Sequence, residues 1–243
     1  DRAALDADMK KLLPLMELGL RAQFLSAQQT LTRVNGLSGP LAGAVHFPDD
    51  FSGPARLYCR ALIKRLLAAG VNLKTRCDVE RIDGENIITA SGEQLTADTI
   101  IVCAGAASAK LVPQLGVTPV FGYSRTYDVT AARLPDHPVM DDSAHLSVTP
   151  LGHHLRVSGG ADLSPMEGRH DQLEAQLFER FSALKKPLQT AARRDWHAAR
   201  PMRANGAFMG KLSGGVYANT GHGHMGWTLC AGAAEHMADL IVG

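Results

Sequence analysis

The C-terminal stretch constrains this chain more than any other. Gly215-Val216-Tyr217-Ala218-Asn219 reads as a β-strand, and Thr220-Gly221-His222-Gly223-His224-Met225-Gly226 follows as a glycine-rich loop. Leu229, Cys230, Ala233, Met237, Leu240 and Ile241 then recur at helical spacing. Glycines let backbone approach a bulky group closely. The helix that follows offers unpaired N–H groups and a partial positive charge at its start. Strand, glycine loop and helix in that order suit the anionic or electron-rich edge of a ligand. A glycine-rich turn that merely joins strand to helix is the alternative.

Upstream, the pattern alternates between helix and strand. Residues 1–33 read as helices, with Leu5, Met9, Leu12, Leu13 and Met16 at helical spacing and Pro14 interrupting them. Residues 35–54 carry the glycine, proline and aspartate of a loop with a short extended piece. A helix is predicted over 54–69, with Pro54 at its start, Gly70 past its end, and Tyr58, Leu62 and Leu66 on one stripe. Strands are predicted at Val71–Thr75, Val79–Ile82, Asn86–Ala90 and Thr99–Cys103. Ile100, Ile101 and Val102 form an apolar run expected to be buried on both faces. The run ends in the small residues Ala104-Gly105-Ala106. Further strands are predicted at Tyr123–Thr130, His145–Thr149, His154–Ser158 and residues 190–199, with a helix over 167–184. Arg125 and Arg156 are expected as solvated strand-face charges, and Trp196 and Trp227 as core residues.

Composition excludes several classes. Among 243 residues, 25 are basic and 24 acidic, a net charge of +1 that gives no electrostatic footprint for nucleic acid. No apolar run approaches the ~18 residues of a membrane span. Cys59, Cys77, Cys103 and Cys230 make no CxxC pair and are expected as reduced, mostly buried thiols of a cytoplasmic protein. His222 and His224 form an HxH without a third local ligand, so no metal is expected. The chain opens on Asp1, within a segment that reads as mid-protein helix, and its natural N-terminus is expected upstream.

Five segments in order carry a resemblance. NTGHGHMGWTLCAGAAEHMADLI resembles the C-terminal flavin-contact motif of FAD-dependent D-amino-acid dehydrogenases and related amino-acid oxidases of the DAO type. WHAARPMRANGAFMG is similar to that family's arginine-proline segment, with Asn205-Gly206 where the family usually has aspartate-glycine; both pairs favour the same turns. GAVHFPDDFSGPARLYCRALIKRLLAAGVNLKTRCDVERI, ADTIIVCAGAAS and PVFGYSRTYDV resemble further family segments. The family's N-terminal strand–GxGxxG–helix for the FAD pyrophosphate has no counterpart upstream of these segments; the one GxGxxG spacing, Gly221-Gly223-Gly226, lies inside the C-terminal motif itself.

The resemblance implies a mixed α/β fold: a partial FAD-binding domain (35–112 and 200–243) and an antiparallel-rich substrate domain (113–199), after a helical segment (1–34). It implies FAD as cofactor, contacted by Val79, Ala104, Gly105, Ala106, Thr220, Gly221, His222, Gly223, His224, Met225 and Gly226. Arg200 falls on the arginine that binds the substrate carboxylate, and Tyr123 on a position lining the site. The implied reaction is oxidative deamination of a D-amino acid to a 2-oxo acid and ammonia, with quinone or O2 as electron acceptor. A glycine- or sarcosine-oxidase-like enzyme is one alternative. A non-catalytic fragment or subunit that binds no FAD by itself is another. The implied partners are the amino acid, the electron acceptor, and a GxGxxG-bearing segment or second chain, without which the chain is not expected to retain FAD. The implied location is cytoplasmic, in a family often found at the inner membrane face.

Overall fold

The computed structural model describes residues 2–129 and 134–243. In chain order its helices and strands are α1 (Arg2–Glu17), β1 (Gln23–Ser26), α2 (Ala27–Arg33), β2 (Gly43–His46), α3 (Ala55–Ala68), β3 (Val79–Asp83), β4 (Asn86–Thr89), β5 (Gln94–Thr96), β6 (Ile100–Val102), α4 (Ser108–Leu111), β7 (Thr118–Asp128), β8 (Val139–Asp141), β9 (Leu146–Leu151), β10 (His154–Asp162), α5 (Arg169–Arg180), α6 (Lys185–Gln189), β11 (Arg193–Met202), β12 (Phe208–Ser213), β13 (Val216–Thr220) and α7 (Gly226–Val242). The fold is mixed α/β and rich in antiparallel pairs. Two compact units emerge: Asp1–Pro54, Tyr123–Gly160 and Met166–Trp196 make the first, and Ala55–Gly122, Ala161–Pro165 and His197–Gly243 the second.

The first unit is built on a sheet of order β11-β7-β10-β9-β8. Its alternating apolar positions, Leu146 and Val148 on β9 and Leu155 and Val157 on β10, are all buried. α5 packs Leu173 and Leu177 against this sheet, and Phe181, Leu184 and Leu188 continue the core beyond it. β1 and β2, on either side of α2, pair antiparallel, Phe24 opposite Val45. α2 starts cleanly because Ser26 and Gln29 form a capping box, each side chain bonding the other's backbone N–H. β11 lies at the sheet edge, where Pro201 costs no ladder hydrogen bond. Residues 118–122 of β7 and 197–202 of β11 belong to the second unit.

The second unit holds two small sheets. β3, β4 and β5 form an antiparallel meander. In the other, β12 pairs antiparallel with β13, and β13 runs parallel to β6, Ala218 beside Val102. Val102, Val112, Leu115, Val117 and Ala218 form its core, with Ile82, Phe208 and Leu212 packed around them. Gly215 admits this pairing, since a side chain there would strike the Asp98 carbonyl.

Several expectations need correction. α1 runs through Pro14, which removes only one hydrogen bond in the last turn. β1 stands between the two N-terminal helices, in a stretch where helices alone are predicted. Residues 71–75 form no strand. Ile101 is 45% exposed: strand alternation turns it to the face opposite the buried Ile100 and Val102, and that face is uncovered. Tyr58, Leu62 and Leu66 are likewise exposed, and α3 buries no residue at all. Trp196 and Trp227 are surface residues, the latter edge-on to Tyr58. Cys59, Cys103 and Cys230 are exposed and Cys77 is partly buried. Arg125, predicted solvated, is 4% exposed because carboxylates enclose it. The predicted strand end at Thr130 lies outside the described residues.

Candidate functional site

β6 and β13 run parallel and end side by side. Parallel strands that feed turns and helices leave a ligand crevice at their carboxyl ends. β6 passes through Cys103 and Ala104 to Gly105 (φ +56°), a short 3-10 turn and α4. β13 passes from Thr220 to Gly221 (φ +81°) and Gly223 (φ +57°), a second 3-10 turn and α7. Both turns need the left-handed backbone that glycine adopts without strain. The Thr220 hydroxyl donates to the Gly105 carbonyl at 3.2 Å, tying the two turns together. Ala104, Gly105 and Ala106 therefore stand beside the Thr220–Gly226 loop. No side chain caps α7, so its first-turn N–H groups face the same crevice end uncapped by the protein's side chains.

The glycine loop is held from behind by the arginine-proline segment. A side chain on Gly223 would come within 2.6 Å of the Met202 sulfur, and one on Gly221 within 2.8 Å of Arg203 Cγ. Arg203 is fixed in turn: its Nε donates to the Leu115 carbonyl at 2.6 Å and its Nη1 to the Gly206 carbonyl at 2.8 Å. Its guanidinium also lies 5.5 Å from the Phe208 ring centre. Sequence reasoning missed Met202 and Arg203. The signal was present in the second arginine three residues after Arg200. Gly221→Val should therefore strain the backbone and expel the Arg203 stem, costing about 1–3 kcal/mol of stability. The full-length protein should lose flavin in parallel, read as melting temperature and flavin-to-protein ratio; wild-type values for both would show that the loop tolerates a β-carbon.

Arg200 projects from the same face of β11 as Met202, two residues and about 7 Å along the strand. Its side chain lies over Gly122 on the neighbouring strand β7. Burial pulls the Arg200 pKa down. A guanidinium nevertheless stays charged, and its planar fork matches a carboxylate. A cation held this way has the shape and charge to bind an acid.

The residues present fit the ring-bearing end of a flavin. Nε2 of His222 and Oδ1 of Asn219 are buried without a protein partner. A side chain built on Gly105 would meet no protein atom within 4 Å, so space stands open beside it. His224 and Met225 are exposed at the loop's outer edge. Val79 opens β3, opposite Thr89 in the meander. Tyr123 falls in the first unit, 3% exposed, its hydroxyl accepting the Met166 N–H at 2.8 Å and its ring edge-on to His170.

Comparison with known proteins identifies the family. A family model described as FAD dependent oxidoreductase (DAO) matches residues 1–240. A D-amino acid dehydrogenase of Methylobacterium nodulans is 33% identical over 236 residues, covering 90% of this chain and 55% of that protein. One from Bradyrhizobium diazoefficiens is 30% identical over 264 aligned positions, covering 100% of this chain and 61% of that protein. The chain thus spans a little over half the length of these curated relatives. Among solved structures, a glycine oxidase from Bacillus cereus superposes with a TM-score of 0.85 at 21% identity, covering all of this chain and 70% of the other. L-proline dehydrogenase from P. horikoshii superposes at 0.86 with 12% identity, covering 99% of this chain and 70% of the other. These two likenesses concern the fold.

Proposed function

The chain belongs to the family of FAD-dependent oxidoreductases, and from that premise we propose that its full-length protein oxidises a D-amino acid. The amino acid, arriving with a neutral amine, would lose a hydride from Cα and become a protonated imino acid (an iminium), which water converts to a 2-oxo acid and ammonium. Bound FAD would supply the two-electron acceptor. The chain's own part is positioning: Arg200 holds the substrate carboxylate, and backbone N–H groups at Gly223–Gly226 face the electron-rich edge of the ring. Ala104, Gly105, Ala106, Thr220, Gly221, His222, His224 and Met225 complete the cradle, and Val79 serves the adenine end. A substrate that arrives with a neutral amine needs no catalytic base. The observation that carries this reading is the shared face of β11, where Arg200 stands beside the residue that covers the glycine loop.

The second unit, which contains 55–112 and 200–243, is the part proposed to carry the cofactor. It leaves Leu57, Tyr58, Leu62, Ile101, Trp227 and Leu229 exposed on α3, β6 and α7. A segment or second chain bearing GxGxxG is proposed to cover this surface and grip the pyrophosphate, because a bare sheet edge and apolar face invite association. Among the described residues no helix is long and apolar enough to cross a membrane. A quinone acceptor would place the protein peripherally at the inner face of one, on the cytoplasmic side.

The test is anaerobic addition of D-alanine, L-alanine or glycine to the purified full-length flavoprotein. Bleaching of the flavin absorbance by the D-isomer, reoxidised by a quinone analogue, supports the reading. Rapid reoxidation by oxygen would assign an oxidase instead, and absence of bleaching by any amino acid would remove the substrate class.

A further inference from the structure

Arg200 owes its position to an absence on the facing strand. β7 and β11 are sheet neighbours, and within the second unit Phe121 on β7 and His197 on β11 bring their rings to 6.2 Å. One residue beyond Phe121, Gly122 carries no side chain, and the Arg200 guanidinium fills that space. A β-carbon on Gly122 would overlap Nη2 and Cζ of Arg200 and stand 2.8 Å from Nε. All three nearest atoms to such a carbon belong to Arg200; no backbone atom comes closer.

The conformation of Gly122 does not require glycine. It is absent from the residues with positive φ, so its extended backbone suits any side chain. In a strand interior glycine is a poorer choice than alanine on entropy grounds. Neither the fold nor a turn therefore accounts for glycine at this position. What it does accommodate is a flat cation, close against the strand.

We propose that Gly122 is a positioning residue for substrate carboxylate recognition: its missing side chain forms the seat that fixes the Arg200 guanidinium. The inference rests on the reading of Arg200 as the carboxylate anchor. The far end of an arginine moves easily, so a methyl group at 122 displaces the fork and leaves the strand in place. The consequence falls on substrate binding and spares folding. A bidentate contact depends on the fork's position and plane, and an ångström of misplacement suffices to weaken it about tenfold to a hundredfold. The seat also sets specificity, because a carboxylate uses the fork and a carboxamide does not.

The experiment uses the full-length flavoprotein with Gly122→Ala, Gly122→Ser, Arg200→Ala and the Gly122→Ala/Arg200→Ala double variant. KM and kcat are measured for D-alanine and D-alaninamide, together with inhibition by propionate. Gly122→Ala and Gly122→Ser are expected to raise KM for D-alanine and Ki for propionate about tenfold or more, with a much smaller effect on D-alaninamide. Their melting temperatures are expected to equal or exceed that of the parent. Gly122→Ala should add nothing in the Arg200→Ala background, because both changes act through one group. If Arg200→Ala weakens D-alanine binding but the two Gly122 variants keep the parent KM and Ki, the seat is refuted and the anchor stands. Equal effects of Gly122→Ala with and without Arg200 would likewise refute it. If Arg200→Ala itself keeps the parent KM, the anchor fails and the seat with it.

Discussion

Replacing Arg200 with alanine in the full-length protein should raise KM for a D-amino acid by about two orders of magnitude. A charge-assisted bidentate pair with a carboxylate, made where solvent is largely excluded, is worth about 3 kcal/mol. At about 1.4 kcal/mol for each tenfold, that corresponds to roughly a hundredfold or slightly more. Arg200 is half-buried and its pKa is pulled down by burial, so its charge is poorly hydrated. Arg200→Lys keeps the charge but loses the fork, and should fall between the parent and alanine. Flavin content should stay near the parent's in both, because Met202 and Arg203, not Arg200, press on the glycine loop. Steady-state kinetics with D-alanine measure the effect, and D-alaninamide provides the control without a carboxylate. A parent-like KM for D-alanine in Arg200→Ala would remove this residue from the site.

How much of this was legible in the sequence depends on where the information resides. The strand, glycine loop and helix at 215–242 were legible because glycine spacing and apolar period are local properties. β13, its loop and α7 lie where those signals place them. The hydrogen bond from Thr220 to Gly105 joins residues 115 positions apart and leaves no local trace. Gly122 shows the same limit more sharply: in the sequence it is a glycine just before the predicted strand Tyr123–Thr130, and only the neighbouring strand reveals the guanidinium above it. The errors share one physical cause. Apolar period on α3, the run at Ile100–Val102 and the two tryptophans all predict burial, yet burial depends on what covers a face, and periodicity names only the face. Arg125 failed in the opposite sense. A charge on a strand reads as solvated, and three carboxylates distant in sequence reverse that reading.

Arg125→Met should destabilise the protein by about 3 kcal/mol at neutral pH, at the lower end of what breaking a buried ion pair costs. Arg125 donates through Nε and Nη2 to both oxygens of Asp195, each at 2.7 Å. Its Nη1 donates to Asp171 at 2.9 Å and to Glu174. Methionine fills most of the volume, so the loss is electrostatic: Glu174, 14% exposed, keeps Arg193 as an ion-pair partner, while the more open Asp195 and Asp171 regain water. That partial rescue is why the lower end applies. The dependence on pH separates this cause from simple loss of packing. In the parent, Arg125 holds the Asp195 carboxyl below its usual range, so the pair stabilises fully above the unfolded aspartate pKa, near 3.9. That contribution disappears as pH falls through the lowered value. In the variant the stranded carboxylates would prefer protonation, so their penalty is greatest at pH 7 and shrinks as pH approaches about 4. Urea unfolding of parent and variant at pH 7 and at mildly acidic pH should therefore show a deficit that narrows on acidification. A deficit of under ~1 kcal/mol at pH 7, the range of a surface pair, or one independent of pH, would mean that Arg125 stabilises this sheet by packing its aliphatic stem and not by its charge.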